Sequence, residues 1–401
     1  MDALLTRQGS ALWELWTTGR LPASEPALEA GGALASAEAI AFVRGERDRA
    51  EGDARRALAL LHGFLVGEHL SRAAATSPGP RTPAVSWDGG AVAPARVPSL
   101  LASEPDAARR AALERAWADA ARRRAKLDAP RLEAMAAAAR ALGHSSLVAL
   151  AAELRGDEPE ALVVLAEAVI ATTDVAYRAL LDALARLELG VRLAEVRGGD
   201  VPRLLRAGDD PRAFPAARAA ADVEQTLAAL GLGLSGREGV VVDAEARPGK
   251  DPRALALPVK VPDGVRLALT PASGAAEVRA ALHEAGAAAF YAHVTSPVLE
   301  FRRLGTATTE AWATLFEDLA GDPAWLADRT GRSESHLAPL VRALAARRLH
   351  EARTLAARVL VEVARERDPA RAAAAAQATL RWAYARPVDA DEVDLFLAER
   401  D

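Results

Sequence analysis

Among its 401 residues the chain has no cysteine. That excludes a disulfide framework and any thiolate metal site, so a bound metal would need His, Asp or Glu. No run of about 18 apolar residues is free of charges, so no membrane span is expected. No Lys/Arg cluster carries aromatic residues between its charges, and the formal charge is only −5, so nucleic acid is not an expected partner. Met1 to Gly9 shows no basic stretch leading into an apolar core, and a secretory signal is not expected. Lysine is scarce: Lys126, Lys250 and Lys260 are the only three, the rest of the 50 basic residues being arginine. With the heavy use of Ala and Gly, this points to a GC-rich bacterial genome; with neither signal nor span expected, the protein is expected to be cytoplasmic.

Hydrophobic residues make up 51% of the chain, enough for a sizeable core. Residues 1–75 read as a helical segment, with a start at Ala11–Trp16 and one long helix over Ala39–Ala75. His62 and His69 lie seven apart on it and share a face. Residues 76–98 are rich in Pro and Gly and read as a linker. Residues 99–401 read as one large domain. A helix is expected from Ser103 as N-cap to about Leu127, with others over 130–142, 145–155, 158–188 and 216–230. No internal repeat is present.

The character changes over about 239–271. Three β-type runs, Gly239–Asp243, Ala254–Val261 and Val265–Leu269, are separated by the turn signals Arg247-Pro248-Gly249-Lys250 and Pro262-Asp263-Gly264. A single small antiparallel sheet is expected there. Lys250 reads as a solvated turn lysine. Helices follow over 275–294, 308–320 and, in the tail, 335–400.

The helix after the sheet holds His283-Glu284. In an H-E-x-x-H helix two histidines four residues apart face one metal, and the glutamate takes a proton from the metal-bound water. Here the second histidine position is Ala287. A methyl group cannot ligate zinc. None of the seven histidines lies four from another. His293, ten residues beyond His283, is about 280° around and about 15 Å along the helix, so it is no simple substitute. On the next helix stand Glu310 and, seven residues on and on the same face, Glu317. An acid there can be a third ligand, and Glu317 is placed to accept from a ligating imidazole.

In this order of elements the chain resembles the thimet oligopeptidase and oligoendopeptidase F family of zinc metallopeptidases. The likeness is carried by Arg247-Pro248-Gly249-Lys250, by Ala281-Leu282-His283-Glu284-Ala285-Gly286, whose glycine matches the family's H-E-x-G-H, and by Gly305-Thr306 with Thr309-Glu310-Ala311-Trp312-Ala313-Thr314-Leu315-Phe316-Glu317. It covers about residues 100–330. The resemblance implies a mainly α, two-lobed gluzincin body with one small antiparallel sheet before the active-site helix. It implies oligopeptide substrates laid against that sheet, His283 and Glu310 as vestigial metal ligands, and Glu284 as a vestigial base. Family members also carry a later segment whose tyrosines help hold the scissile carbonyl, and no counterpart is found before Asp401. The expectation is a pseudo-peptidase that keeps an oligopeptide-binding channel, with weak zinc or none as cofactor. Two alternatives stay open: an active metal-dependent oligopeptidase with a substitute ligand, and a helical interaction scaffold.

Overall fold

The structure is a computed structural model that describes residues 2–20, 35–75, 83–206, 209–302 and 305–398. In chain order, the first helices are α1 (Asp2–Thr18), α2 (Ala37–Arg49) and α3 (Gly52–Ala75). The single helix expected over 39–75 is thus broken. Ala50 turns extended and Gly52 takes a positive φ of 56°, which a glycine adopts at little cost. Of the stretch read as a linker, 76–82 lies outside the described residues. The rest forms a hairpin, β1 (Val85–Trp87) and β2 (Gly90–Val92), and the start of α4 (Val97–Ser103). Asp88 and Gly89 both have positive φ at the hairpin turn, the conformation that an Asp-Gly pair favours.

Next come α5 (Ala107–Ala141), α6 (Leu147–Arg155), α7 (Pro159–Glu188), the single turn α8 (Val201–Leu204) and α9 (Ala219–Ala229). Ser103 ends α4 rather than capping α5. Asp106 takes the cap, its carboxylate accepting from the Arg109 N–H at 2.9 Å. The two helices expected either side of residue 128 are one, because Pro130 is carried inside α5. Gly143 and Gly156, at φ 90° and 70°, follow the ends of α5 and α6.

Strands β3 (Val240–Asp243), β4 (Leu255–Lys260) and β5 (Gly264–Ala268) follow, then α10 (Ala275–Ala292), α11 (Thr306–Leu319), α12 (Pro323–Thr330), α13 (Glu334–Arg367), α14 (Ala372–Tyr384) and α15 (Ala390–Ala398). The fold is mainly helical, as expected. The sheet differs from expectation in its order, β3-β5-β4. β4 and β5 pair antiparallel through the Pro262-Asp263-Gly264 turn, whereas β3 lies on the far side of β5 and runs parallel to it, Val240 opposite Val265. The long 244–254 connection lets β3 and β4 take opposite edges. Among the described residues, no helix is long and apolar enough to cross a membrane.

The chain divides into two compact units. Unit 1 is Met1–His69 with Asp209–Ala338; unit 2 is Leu70–Gly208 with Pro339–Asp401. In unit 1, α10 packs on β4, β5, α9 and α11, burying Leu282, Ala285, Ala288 and Ala289. The alanines let neighbouring backbones approach closely. α1 packs on β4, and its C-terminal end meets the Arg247–Lys250 turn. A Cβ on Gly249 would lie 2.5 Å from the Thr18 carbonyl oxygen, so that close approach needs glycine.

Unit 2 has cores where α5 meets the hairpin and α4, around Val85, Leu101 and Leu113, and where α7 meets α13, around Tyr177, Leu181 and Ala343. Buried Arg353 is fully bonded there: it donates to the Ile170, Trp382 and Ala383 carbonyls, to Thr173 and to Asp174. A buried guanidinium with this many acceptors satisfies its polar groups internally.

Candidate metal centre

α10 and α11 bring together the residues singled out on them. His283 Nδ1 donates to Glu317 Oε2 at 3.0 Å, and His283 Nε2 lies 3.4 Å from Glu310 Oε2. Glu317 also accepts from Arg279, with Nη2 to Oε1 at 2.7 Å. The order is therefore Arg279, Glu317, His283, Glu310, alternating in charge when the imidazole is protonated. The hydrogen bond from Glu317 is the largest influence on His283, raising its pKa above the ordinary histidine value. Partial burial opposes that rise, and the nearby Glu284 and Glu310 charges reinforce it.

Glu284 faces the sheet. Its Oε2 accepts the backbone N–H of Ala256 in β4 at 2.7 Å. Burial pushes its pKa up, and the Ala256 N–H pulls the other way. That N–H points away from β5, so Glu284 occupies a bonding position on the outer edge of β4. Two residues on along the same edge stands Pro258, which has no N–H to offer.

Ala287, one turn beyond His283, is only 8% exposed. His293 is engaged elsewhere: its Nδ1 is 2.8 Å from the Ala289 carbonyl oxygen and its Nε2 is 3.3 Å from Arg237 Nη1. His62 and His69 make separate bonds, to Arg47 and to the Ala35 carbonyl, and do not form a site together.

A catalytic zinc takes three protein ligands and keeps one position open. Glu317 is committed to Arg279 and to His283 Nδ1, and Glu284 to Ala256. What remains is His283 Nε2 and the Glu310 carboxylate. Among the described residues, no group of three or more His, Cys, Asp or Glu side chains is set to hold one ion. The donor set does not fit a catalytic zinc.

Lys250 differs from its expected role as a solvated turn lysine. Its side chain is 1% exposed. Nζ donates to the carbonyls of Asp243, Glu245 and Leu269 and to Asp243 Oδ1, all within 2.8–2.9 Å. Hydrogen bonds from Arg247 first, and Lys250 after it, hold the Asp243 carboxyl well below the usual carboxylate range. The Arg247–Lys250 turn is thereby locked to β3.

Two partners escaped the sequence reading. Arg279 stands one turn before His283 on an alanine-rich face, where a lone charge asks for an acceptor; that signal was available. The Ala256 N–H has no sequence signal, because backbone groups look alike in every strand. Compared with known proteins, the chain matches no protein-family model and no curated protein.

Proposed function

We propose that this chain is a catalytically silent relative of the thimet oligopeptidase and oligoendopeptidase F metallopeptidases, which holds oligopeptides without cutting them. One observation carries the reading. Two donors on a tetrahedral zinc, with bonds of about 2.0–2.1 Å, sit about 3.3–3.4 Å apart. His283 Nε2 and Glu310 Oε2 are 3.4 Å apart, the spacing of two ligands of one ion, while the third ligand position is a methyl group. Glu317 on Nδ1 is the acceptor that fixes a ligating imidazole in its tautomer. These two features support the reading of a metal site that lacks one ligand.

Without the third ligand no metal-activated water is available to Glu284, whose carboxylate instead caps the edge of β4. An extended peptide laid along that edge competes with Glu284 for the Ala256 N–H and finds none at Pro258. Binding by strand addition is therefore weak, and side chains carry most of it. This same edge favours the scaffold alternative if peptides do not bind at all.

The test is a calorimetric titration of extended peptides with mass analysis of the recovered peptide. Binding in the micromolar-to-millimolar range with intact peptide is expected. Cleavage that Glu284→Gln abolishes contradicts the silent reading. Absence of binding at millimolar peptide contradicts the peptide-holding half and leaves the scaffold.

A further inference from the structure

Unit 2 holds a cavity of about 440 Å³ between the first turns of α5 and the loop after α7. Small-molecule sites begin at about 300 Å³. Arg110 lines it, only 3% exposed. This guanidinium is fixed by Nε on Asp200 Oδ1 at 2.8 Å and by Nη1 on the Glu104 and Pro105 carbonyls at 3.0 and 2.8 Å. Nη2 has no acceptor among the described residues. A buried, pre-oriented guanidinium with one free corner is a ready half of a two-pronged contact to a carboxylate.

Arg115 and Arg197 line the same cavity, and neither is in an ion pair among the described residues. Asp200, by contrast, is bound to Arg110 and to the Arg197 backbone N–H at 3.0 Å, and Glu195, which also lines the cavity, is bound to Arg192 through its backbone N–H at 3.0 Å and Nε at 3.5 Å. The charge left over in the cavity is positive. Glu114 also lines it, 5% exposed, its carboxyl against the Gly198-Gly199 backbone. A Cβ on Gly198 would lie 2.2 Å from Glu114 Oε1, so any larger residue there would displace the Glu114 carboxyl. Burial pushes the Glu114 pKa up to about 7 against the Gly199 N–H; Glu392 and Asp389 raise it further and Arg386 opposes them. Near neutrality this side chain can therefore donate a hydrogen bond as well as accept one.

We propose that this cavity binds a small organic acid, its carboxylate held by Arg197, Arg115 and the free corner of Arg110, its second polar group on Glu114. A cation would meet three guanidinium groups. A phosphate dianion would carry its second charge beside Asp200 and Glu114. A planar monoanionic carboxylate avoids both conflicts. The site is independent of the peptidase-like reading, since every residue in it belongs to unit 2.

The experiment is a titration of the full chain, followed by calorimetry or NMR, with a panel of three- to six-carbon mono- and dicarboxylic acids and with inorganic phosphate. Saturable binding of at least one acid is expected, with Arg197→Gln and Arg115→Gln each weakening it about tenfold, the value of one charge-assisted contact. Both arginines are exposed, so these variants keep the fold. Ala108→Phe, at an exposed lining position, fills the cavity and abolishes binding. The proposal is overturned if no acid binds at about 10 mM, if the arginine variants bind as the unaltered chain does, or if phosphate binds as tightly as the best acid.

Discussion

A Cβ on Gly286 would stand 2.6 Å from the Phe316 ring. The glycine that resembles the family's H-E-x-G-H is thus the point where α10 rests on α11, and the contact sets the spacing between His283 and the two glutamates opposite. Gly286→Ala should destabilise unit 1 by about 1–3 kcal/mol, the usual cost of overpacking. Phe316 is buried and cannot swing out. The same substitution in a Phe316→Leu background should cost clearly less, because the two changes share one contact. Equal cost in both backgrounds, read from denaturant unfolding, would place the strain elsewhere.

Lys250→Met should be among the most damaging single changes in unit 1. It leaves the Asp243 carboxylate with Arg247 as its only cation and the Glu245 and Leu269 carbonyls without the Lys250 donor, while the Asp243 carbonyl keeps only the Leu269 N–H at 2.8 Å. Removing one member of a buried pair costs about 3–5 kcal/mol. A loss below about 1 kcal/mol in urea unfolding would return Lys250 to the role of a surface turn residue.

His350 should make unit 2 acid-sensitive. Its Nδ1 is 2.8 Å from the Tyr177 hydroxyl, and its ring lies 4.9 Å from that of Tyr384. Burial first, and the Arg386 charge after it, push its pKa down from 6.5 to about 3. Between these values the unfolded chain takes up a proton that the folded chain refuses. Stability is therefore fully present above the unfolded value and is lost as pH falls toward the folded one, by up to about 1.4 kcal/mol per pH unit. His350→Gln should flatten that part of the stability–pH curve relative to the unaltered chain. An unchanged slope would mean His350 accepts its proton freely.

The helices α6, α7, α9, α10 and α11 were legible because apolar periodicity and end signals are local. The β runs at 240–243, 255–260 and 264–268 were legible for the same reason. What failed was non-local or depended on context. The parallel pairing of β3 with β5 leaves no mark on either strand. Pro130 reads as a break, yet the surrounding helix carries it. The Asp88-Gly89 hairpin was hidden inside a Pro/Gly-rich stretch. At the site, spacing put Glu310 and Glu317 on one face of α11, the resemblance to the zinc peptidases paired that face with His283, and the three do meet. The burial of Lys250 and the bond from Ala256 to Glu284 depend on which strand lies beneath which helix.

Ala287→His should create zinc binding. It places an imidazole one turn from His283, on the same face, beside a His283–Glu310 pair already at ligand spacing. The helix-propensity cost is below about 1 kcal/mol. Calorimetric titration should show one zinc per chain, lost again in Ala287→His/Glu310→Gln. No gain in affinity would mean the buried position cannot aim its ring at the His283–Glu310 pair.

The most direct measurement is the zinc content of the unaltered chain, produced with zinc supplied and dialysed against a mild chelator. His283 and Glu310 alone, with Glu317 held by Arg279, should retain no zinc in stoichiometric amount. One zinc per chain that survives dialysis and disappears in His283→Ala would contradict the reading of this site as a metal centre without its metal.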